Sequence, residues 1–223
     1  MTSPDGAPGR PLGGSPVFDA VVLAGGRASR LGTPKPGLVV AGRPLLEHAL
    51  AAASGARATV VVGPDELADA RYALTREDPP FGGPAAGIAA GLAALPDDGA
   101  APWVLVLACD VPRAAEAVPA LLAAARHRTD EVAVHAVRGG REQWLVGLYE
   151  RAALADALAA LPMVHGASVR RLLAGLPALA VPDDDGATDD VDTWEDAREQ
   201  DRRLGAGAVP APDDTPDDSR RPR

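Results

Sequence analysis

The strongest constraint on the fold of this chain is Trp103–Ala108, six residues that are apolar without a break and are followed at once by Cys109-Asp110. A run this short is strand-like, and its lack of alternation means that both faces are covered, as in the centre of a parallel sheet. Phe18–Leu23 and Thr59–Val62 are runs of the same kind, and residues 132–137, 145–149 and 178–181 read as further strands. Between them lie Ala- and Leu-rich helical segments at 45–53, 115–126, 152–161 and Val169–Leu173. Another helix opens at Gly83-Pro84, where proline suits the first turn, and a last one starts near Thr193. This alternation predicts an α/β, Rossmann-like three-layer fold with a mainly parallel twisted sheet.

The 223 residues, 47% of them hydrophobic, suffice for one core. Residues 1–16 and 204–223 mix Pro, Gly, Asp and Arg without apolar periodicity and are expected to be disordered tails, which leaves 17–203 as a single domain. With 31 acidic against 22 basic side chains the formal net charge is -9, which disfavours nucleic acid and anionic membranes and favours a small-molecule partner. Cys109 is the only cysteine, so no internal disulfide forms. The first residues lack a secretory pattern and no apolar run approaches the ~20 residues of a membrane span, so a cytoplasmic protein is expected.

In open parallel sheets ligands bind beyond the carboxyl ends of the strands. After the first strand stands Leu23-Ala24-Gly25-Gly26-Arg27-Ala28-Ser29-Arg30-Leu31-Gly32-Thr33-Pro34-Lys35. Paired glycines let the backbone approach an anion, and Arg27, Arg30 and Lys35 supply positive charge. The spacing is neither that of a Walker A loop nor that of a dinucleotide fingerprint, and an ordinary Gly-Gly turn is the alternative. Lys35 weighs against that alternative because it is the only lysine in the chain, where arginine serves everywhere else. A compact ammonium is not interchangeable with a planar guanidinium.

Residues 23–35 resemble the motif of the molybdenum cofactor guanylyltransferase family, Leu-Ala-Gly-Gly-x-x-x-Arg-Met-Gly followed shortly by Lys, with Leu31 in place of Met. The resemblance implies a sheet of the nucleotide-diphospho-sugar transferase type. It also implies that Leu23, Ala24, Gly25, Gly26 and Lys35 bind nucleotide, with Lys35 and Arg30 on its phosphates. Sugar-phosphate nucleotidyltransferases begin the motif alike but space the Arg and Lys more widely. Arg76-Glu77-Asp78 followed by Gly83-Pro84-Ala85-Ala86-Gly87 is similar to the family's Asp and Gly-Pro-Leu-x-Gly segment, and so adds Asp78, Gly83, Pro84 and Gly87 as nucleotide-binding candidates. A helix start after glycines also suits an anion on physical grounds. Asp78 before Pro79-Pro80 reads equally as a turn residue. Gly63, after the second strand, stands where the family often has a base-contacting Asn and offers only backbone.

Asp110 follows the most apolar strand. A carboxylate there suits Mg²⁺, while a helix cap is the plain alternative. The family's Cys-Asp-x-Pro segment resembles Cys109-Asp110-Val111-Pro112 and implies a metal and nucleotide ligand at Asp110. Asp189-Asp190-Val191-Asp192-Thr193-Trp194-Glu195-Asp196 resembles the family's Asn-x-Asn-Thr-Pro-Glu-Asp, or the Asp-x-Asp-Thr-Pro-Glu-Asp of related cytidylyltransferases. Asp for Asn and Trp194 for Pro are departures that leave the base preference open; either resemblance implies a second metal ligand or metal-water partner at Asp192. Thr193 and Asp196 also have the spacing of a capping pair. Residues 141–149 and 166–172 resemble the part of the family that receives the pterin, with Trp144 where proline is frequent. Arg170 and Arg171 read as phosphate contacts or as surface arginines. His48, His127 and His135 read as structural, and His165 stays open.

The resemblance implies attack by the terminal phosphate of molybdopterin on the α-phosphorus of GTP with Mg²⁺ as cofactor, and transient contact with molybdenum-cofactor proteins. A cytidylyl relative using CTP, or a nucleotide-binding module without turnover, are the alternatives. Cytidylyl relatives tend to lack the Gly-Pro-x-x-Gly that Gly83 to Gly87 supplies.

Overall fold

The computed structural model describes residues 15–25 and 31–205. In chain order the elements are β1 (Phe18–Leu23), the short pair β2 (Val39–Val40) and β3 (Arg43–Pro44), and α1 (Leu45–Ala52). β4 (Thr59–Val62), β5 (Ala73–Thr75), α2 (Pro84–Ala94), β6 (Trp103–Ala108) and α3 (Ala114–His127) follow. β7 (Ala133–Arg138), β8 (Arg141–Glu150), α4 (Arg151–Ala159), α5 (Val169–Leu173), β9 (Ala178–Pro182) and α6 (Trp194–Leu204) complete the chain. Seven strands form one sheet in the order β5-β4-β1-β6-β8-β7-β9. All neighbouring strands are parallel except at β8, which runs against both β6 and β7.

Residue alternation along each strand divides the core between the two faces. Phe18, Ala20 and Val22 of β1 and Leu105 and Leu107 of β6 pack with α1 and α3. Val21 of β1 and Val104 and Val106 of β6 pack on the other face, with Ile88 of α2, Leu154 of α4 and Leu173 of α5. A smaller cluster, with Leu38, Val40, Leu45, Val191 and Ala197, holds α6 against the β2-β3 hairpin. The three-layer arrangement is therefore the one expected from the sequence.

Two features differ from expectation. β8 begins at Arg141 rather than at residue 145, because Gly139 and Gly140, both at positive φ (54° and 75°), turn the chain directly into a hairpin with β7. A two-residue turn with φ > 0 at both positions matches the twist of paired strands, so Arg141, Glu142 and Gln143 are drawn into the ladder despite their polarity. β2, β3 and β5 were not anticipated. They are two or three residues long, too short to carry a periodic pattern.

The order of the strands locates the ligand crevice. From β1 the chain steps through β4 to β5 on one side, then returns to place β6 on the other side of β1. Such a reversal opens a crevice between the loops that leave β1 and β6, at their carboxyl ends.

Candidate active site

Strands β1 and β6 run together to their last residues, Leu23 opposite Ala108, and Cys109 N–H still donates to Leu23 O at 3.0 Å. The chains part only there, so Asp110 stands at the carboxyl edge of the sheet on a rigid strand. Lys35 lies in a short 3-10 turn, Lys35–Gly37, between Pro34 and buried Pro36, whose fixed φ leaves its backbone little freedom. Its ammonium donates to Asp110 Oδ2 at 2.8 Å and to Asp192 Oδ1 at 2.5 Å. Burial alone would lower the Lys35 pKa, but its hydrogen bonds to Asp110 and Asp192 and their charges outweigh it and raise it above the ordinary lysine value.

Asp192 reaches Lys35 because the segment before α6 folds back over β6. Val191 N–H donates to Asp110 O at 2.9 Å. Upstream, buried Asp183 accepts from Ala187 N–H, Thr188 N–H and the Thr188 hydroxyl, while Arg138 Nε grips Asp189 at 2.9 Å. Downstream, Thr193 and Asp196 form a complete capping box at the start of α6, which is the helix-start reading of that segment. Carboxylate oxygens of Asp110, Asp190 and Asp192 come within 4.8 Å of one another. Asp190 is exposed as a residue, but partial desolvation of its carboxyl, and then the charges of Asp192 and Asp110, push it up from the ordinary range. Carboxylate oxygens are donors of the kind Mg²⁺ takes, and two of these three carboxylates also hold Lys35.

These groups border a cleft of about 660 Å³, lined among others by Leu23, Gly25, Lys35, Glu77, Gly83, Asp110, Trp144 and Asp190. That volume suits a small-molecule ligand. The N-terminus of α2 adjoins it: Gly83, at φ 84°, is the N-cap and Pro84 follows, and no side chain caps the helix. The opening N–H groups of such a helix are left for an anion. Cys109 is buried, and burial followed by the Asp110 charge pushes its thiol pKa up, which removes it as a nucleophile.

The model of the MobA-like NTP transferase domain matches residues 20–181. The chain belongs to this family. A molybdenum cofactor guanylyltransferase from Rhizobium johnstonii is 33% identical over 136 residues, 61% of this chain. The match spans 65% of that relative's length. Among solved structures, Rv0371c from Mycobacterium tuberculosis superposes with a TM-score of 0.66 at 21% identity, over 85% of this chain and 100% of that one. Molybdopterin-guanine dinucleotide biosynthesis protein A from Archaeoglobus fulgidus superposes with a TM-score of 0.62 at 20% identity, over 83% and 97% of the two chains. Both share the fold.

Within this MobA-like domain the candidates fall into four groups. Leu23, Gly25, Lys35, Gly83, Pro84, Gly87 and Asp110 line the cleft, and Asp192 joins them through Lys35. Buried Ala24 donates to Val62 O at 2.8 Å and holds the loop to β4. Gly63 and Asp78 lie outside the lining. Gly63 N–H is taken by Thr75 O at 2.9 Å, and a Cβ there would meet Leu67 at 2.9 Å. Asp78 is exposed, while the neighbouring Glu77 borders the cleft. Gly26 and Arg30 lie outside the described residues, as do residues 1–14 and 206–223 of the expected tails.

Sequence reasoning missed Glu77, Phe81, Thr188 and Asp190 in the lining. Asp190 carried a usable signal, because Asp190-Val191-Asp192 in extended backbone turns both carboxylates the same way. Arg170 and Arg171 are exposed on α5 and outside the lining. His165 is exposed beside Gly82, where a Cβ would meet its Nδ1 at 2.8 Å.

Proposed function

We propose that this chain moves GMP from GTP to the terminal phosphate of molybdopterin, giving the guanine dinucleotide and pyrophosphate. The observation that carries this reading is the seating of the only lysine, Lys35, between Asp110 and Asp192 on one wall of a cleft that also meets the uncapped start of α2. The name of the Rhizobium johnstonii relative supports guanine and the pterin acceptor.

A phosphate monoester has a second pKa near ~6, so the acceptor is largely dianionic at neutral pH and needs no side-chain base. One acceptor oxygen bonds to the α-phosphorus as the bond from that phosphorus to the bridging oxygen breaks, and pyrophosphate leaves. The work of the protein is to align two anions and offset their charge. Lys35, kept protonated by its carboxylates, and the opening N–H groups of α2 supply positive potential, and Arg30 is assigned to the phosphates from its place in the loop motif. Asp110, Asp190 and Asp192 would hold Mg²⁺, which supplies charge neutralisation at the phosphates. The substrates are small anions, neither nucleic acid nor membrane takes part, and the product passes to molybdenum-cofactor proteins in the cytoplasm. No helix among the described residues is long and apolar enough to cross a membrane.

The test is pyrophosphate release with Mg²⁺, molybdopterin and either GTP or CTP. Release that requires the acceptor and prefers GTP is expected. Preference for CTP overturns the guanine assignment, and no acceptor-dependent release overturns the transferase reading.

A further inference from the structure

His135, read from the sequence as structural, sits behind the cleft wall in an arrangement that packing alone does not explain. β7 and β8 pair regularly from Ala133-Tyr149 to His135-Gly147, but the next pair is Ala136-Gln143. Trp144, Leu145 and Val146 therefore have no partner on β7, and this outward loop of β8 lines the cleft together with Glu142 and Gln143. The bulge is held from behind. Fully buried Tyr149 donates its hydroxyl to Trp144 O at 2.7 Å, and Gly147 is required because a Cβ there would lie 2.6 Å from that hydroxyl.

His135, 3% exposed, places its ring 4.4 Å from the Trp144 ring, and its Nε2 is hydrogen-bonded to the Glu142 carboxylate. Its other ring nitrogen is buried and has no hydrogen-bond partner among the described residues. A buried ring nitrogen left unpaired costs stability, so an apolar ring would serve the core better. What histidine adds is a grip on two neighbours at once, an aromatic ring and a carboxylate side by side on the wall.

We propose that His135 is a positioning residue that holds Trp144 as a stacking platform, and Glu142 as an edge acceptor, for the pterin ring of the acceptor. The chemistry of the pair fits a planar heterocycle carrying an N–H and an amino group on one edge, which pterin and guanine share. Position separates them. β8 lies two strands from β1 in the sheet, roughly 10 Å from the loop that takes the nucleotide, so the platform serves the acceptor half of the cleft.

This inference rests on the proposed reaction for its choice of ring, and its test separates the two. Neopterin, which lacks the accepting phosphate, is titrated into the full-length protein while the indole N–H signal of Trp144, assigned with Trp144→Phe, is followed by NMR. Neopterin is expected to shift that signal and guanosine to leave it in place. His135→Phe keeps a ring against Trp144 but loses the bond to Glu142. It should match or exceed the wild type in thermal stability while raising KM for molybdopterin about tenfold, the loss of one modest contact, with kcat and the KM for GTP unchanged. His135→Gln, which keeps a donor but no ring, should also weaken neopterin binding. An unshifted Trp144 signal with neopterin, a shift with guanosine instead, or an unchanged acceptor KM in His135→Phe would overturn the proposal. A neopterin shift without any transfer to molybdopterin would sustain the platform and sink the reaction.

Discussion

Among the described residues, Lys35 is the one cation in contact with the three-aspartate site. One ammonium lies among three carboxylates, and Asp190 is the one that partial desolvation and its neighbours' charges push toward protonation. Because its folded pKa is raised above the unfolded value, its ionised form opposes folding at neutral pH, and that penalty is absent below the ordinary Asp value of about 3.9. Asp190→Asn should therefore stabilise the metal-free protein at pH 7, with the gain fading as the pH falls through the raised pKa toward 4. Thermal melts across that range check the sign; a gain that grows toward low pH would contradict it. Added Mg²⁺ should reverse the order by stabilising the wild type more than the variant.

The elements that present the site depend on close packing of α2 on the sheet. Gly91 and Gly87, one turn apart, face β1. A Cβ at Gly91 would meet Val21 Cγ1 at 2.4 Å and Val62 Cγ2 at 3.0 Å, and one at Gly87 would meet Leu23 at 3.1 Å. Gly91→Ala should cost about 1–3 kcal/mol by overpacking, only partly offset by about 1 kcal/mol of helix propensity. Denaturant unfolding measures the net loss, and a raised KM for GTP would report that the start of α2 has moved with the helix. At this scale much of the fold was legible. Phe18–Leu23, Thr59–Val62 and Trp103–Ala108 are the observed strands to the residue, because runs buried on both faces have sharp ends. The capping pair Thr193 and Asp196 also marked the start of α6 correctly. The direction and full length of β8 were not legible. The Gly139-Gly140 turn is written in the sequence, but how far the hairpin extends from it and the pairing of β8 with β6 are not encoded locally.

For the whole molecule, the strand order draws three separated stretches of sequence to one crevice: the turn at Lys35, the end of β6 at Asp110 and the segment before α6 at Asp192. Lys35 and Asp110 are 75 residues apart in the chain, and Lys35 and Asp192 are 157 apart, yet both pairs are hydrogen-bonded. The members of this site were legible as residues at strand ends. Their mutual contacts were not, nor were the contacts of His135 with Trp144 and Glu142, since these arise from a backbone that folds back over β6 and from a bulge in β8. The proposed guanylyl transfer in this crevice depends on Lys35 to offset charge on the phosphates. It is tested most directly by single-turnover transfer of the α-phosphoryl label of GTP to molybdopterin, comparing wild type with Lys35→Ala. Label should appear in the pterin dinucleotide in step with pyrophosphate, and the variant should be slower on the order of 100-fold to 1000-fold, the loss typical of a single electrostatic donor. Label that stays in GTP or passes only to water, or an equal rate in the variant, would contradict the account.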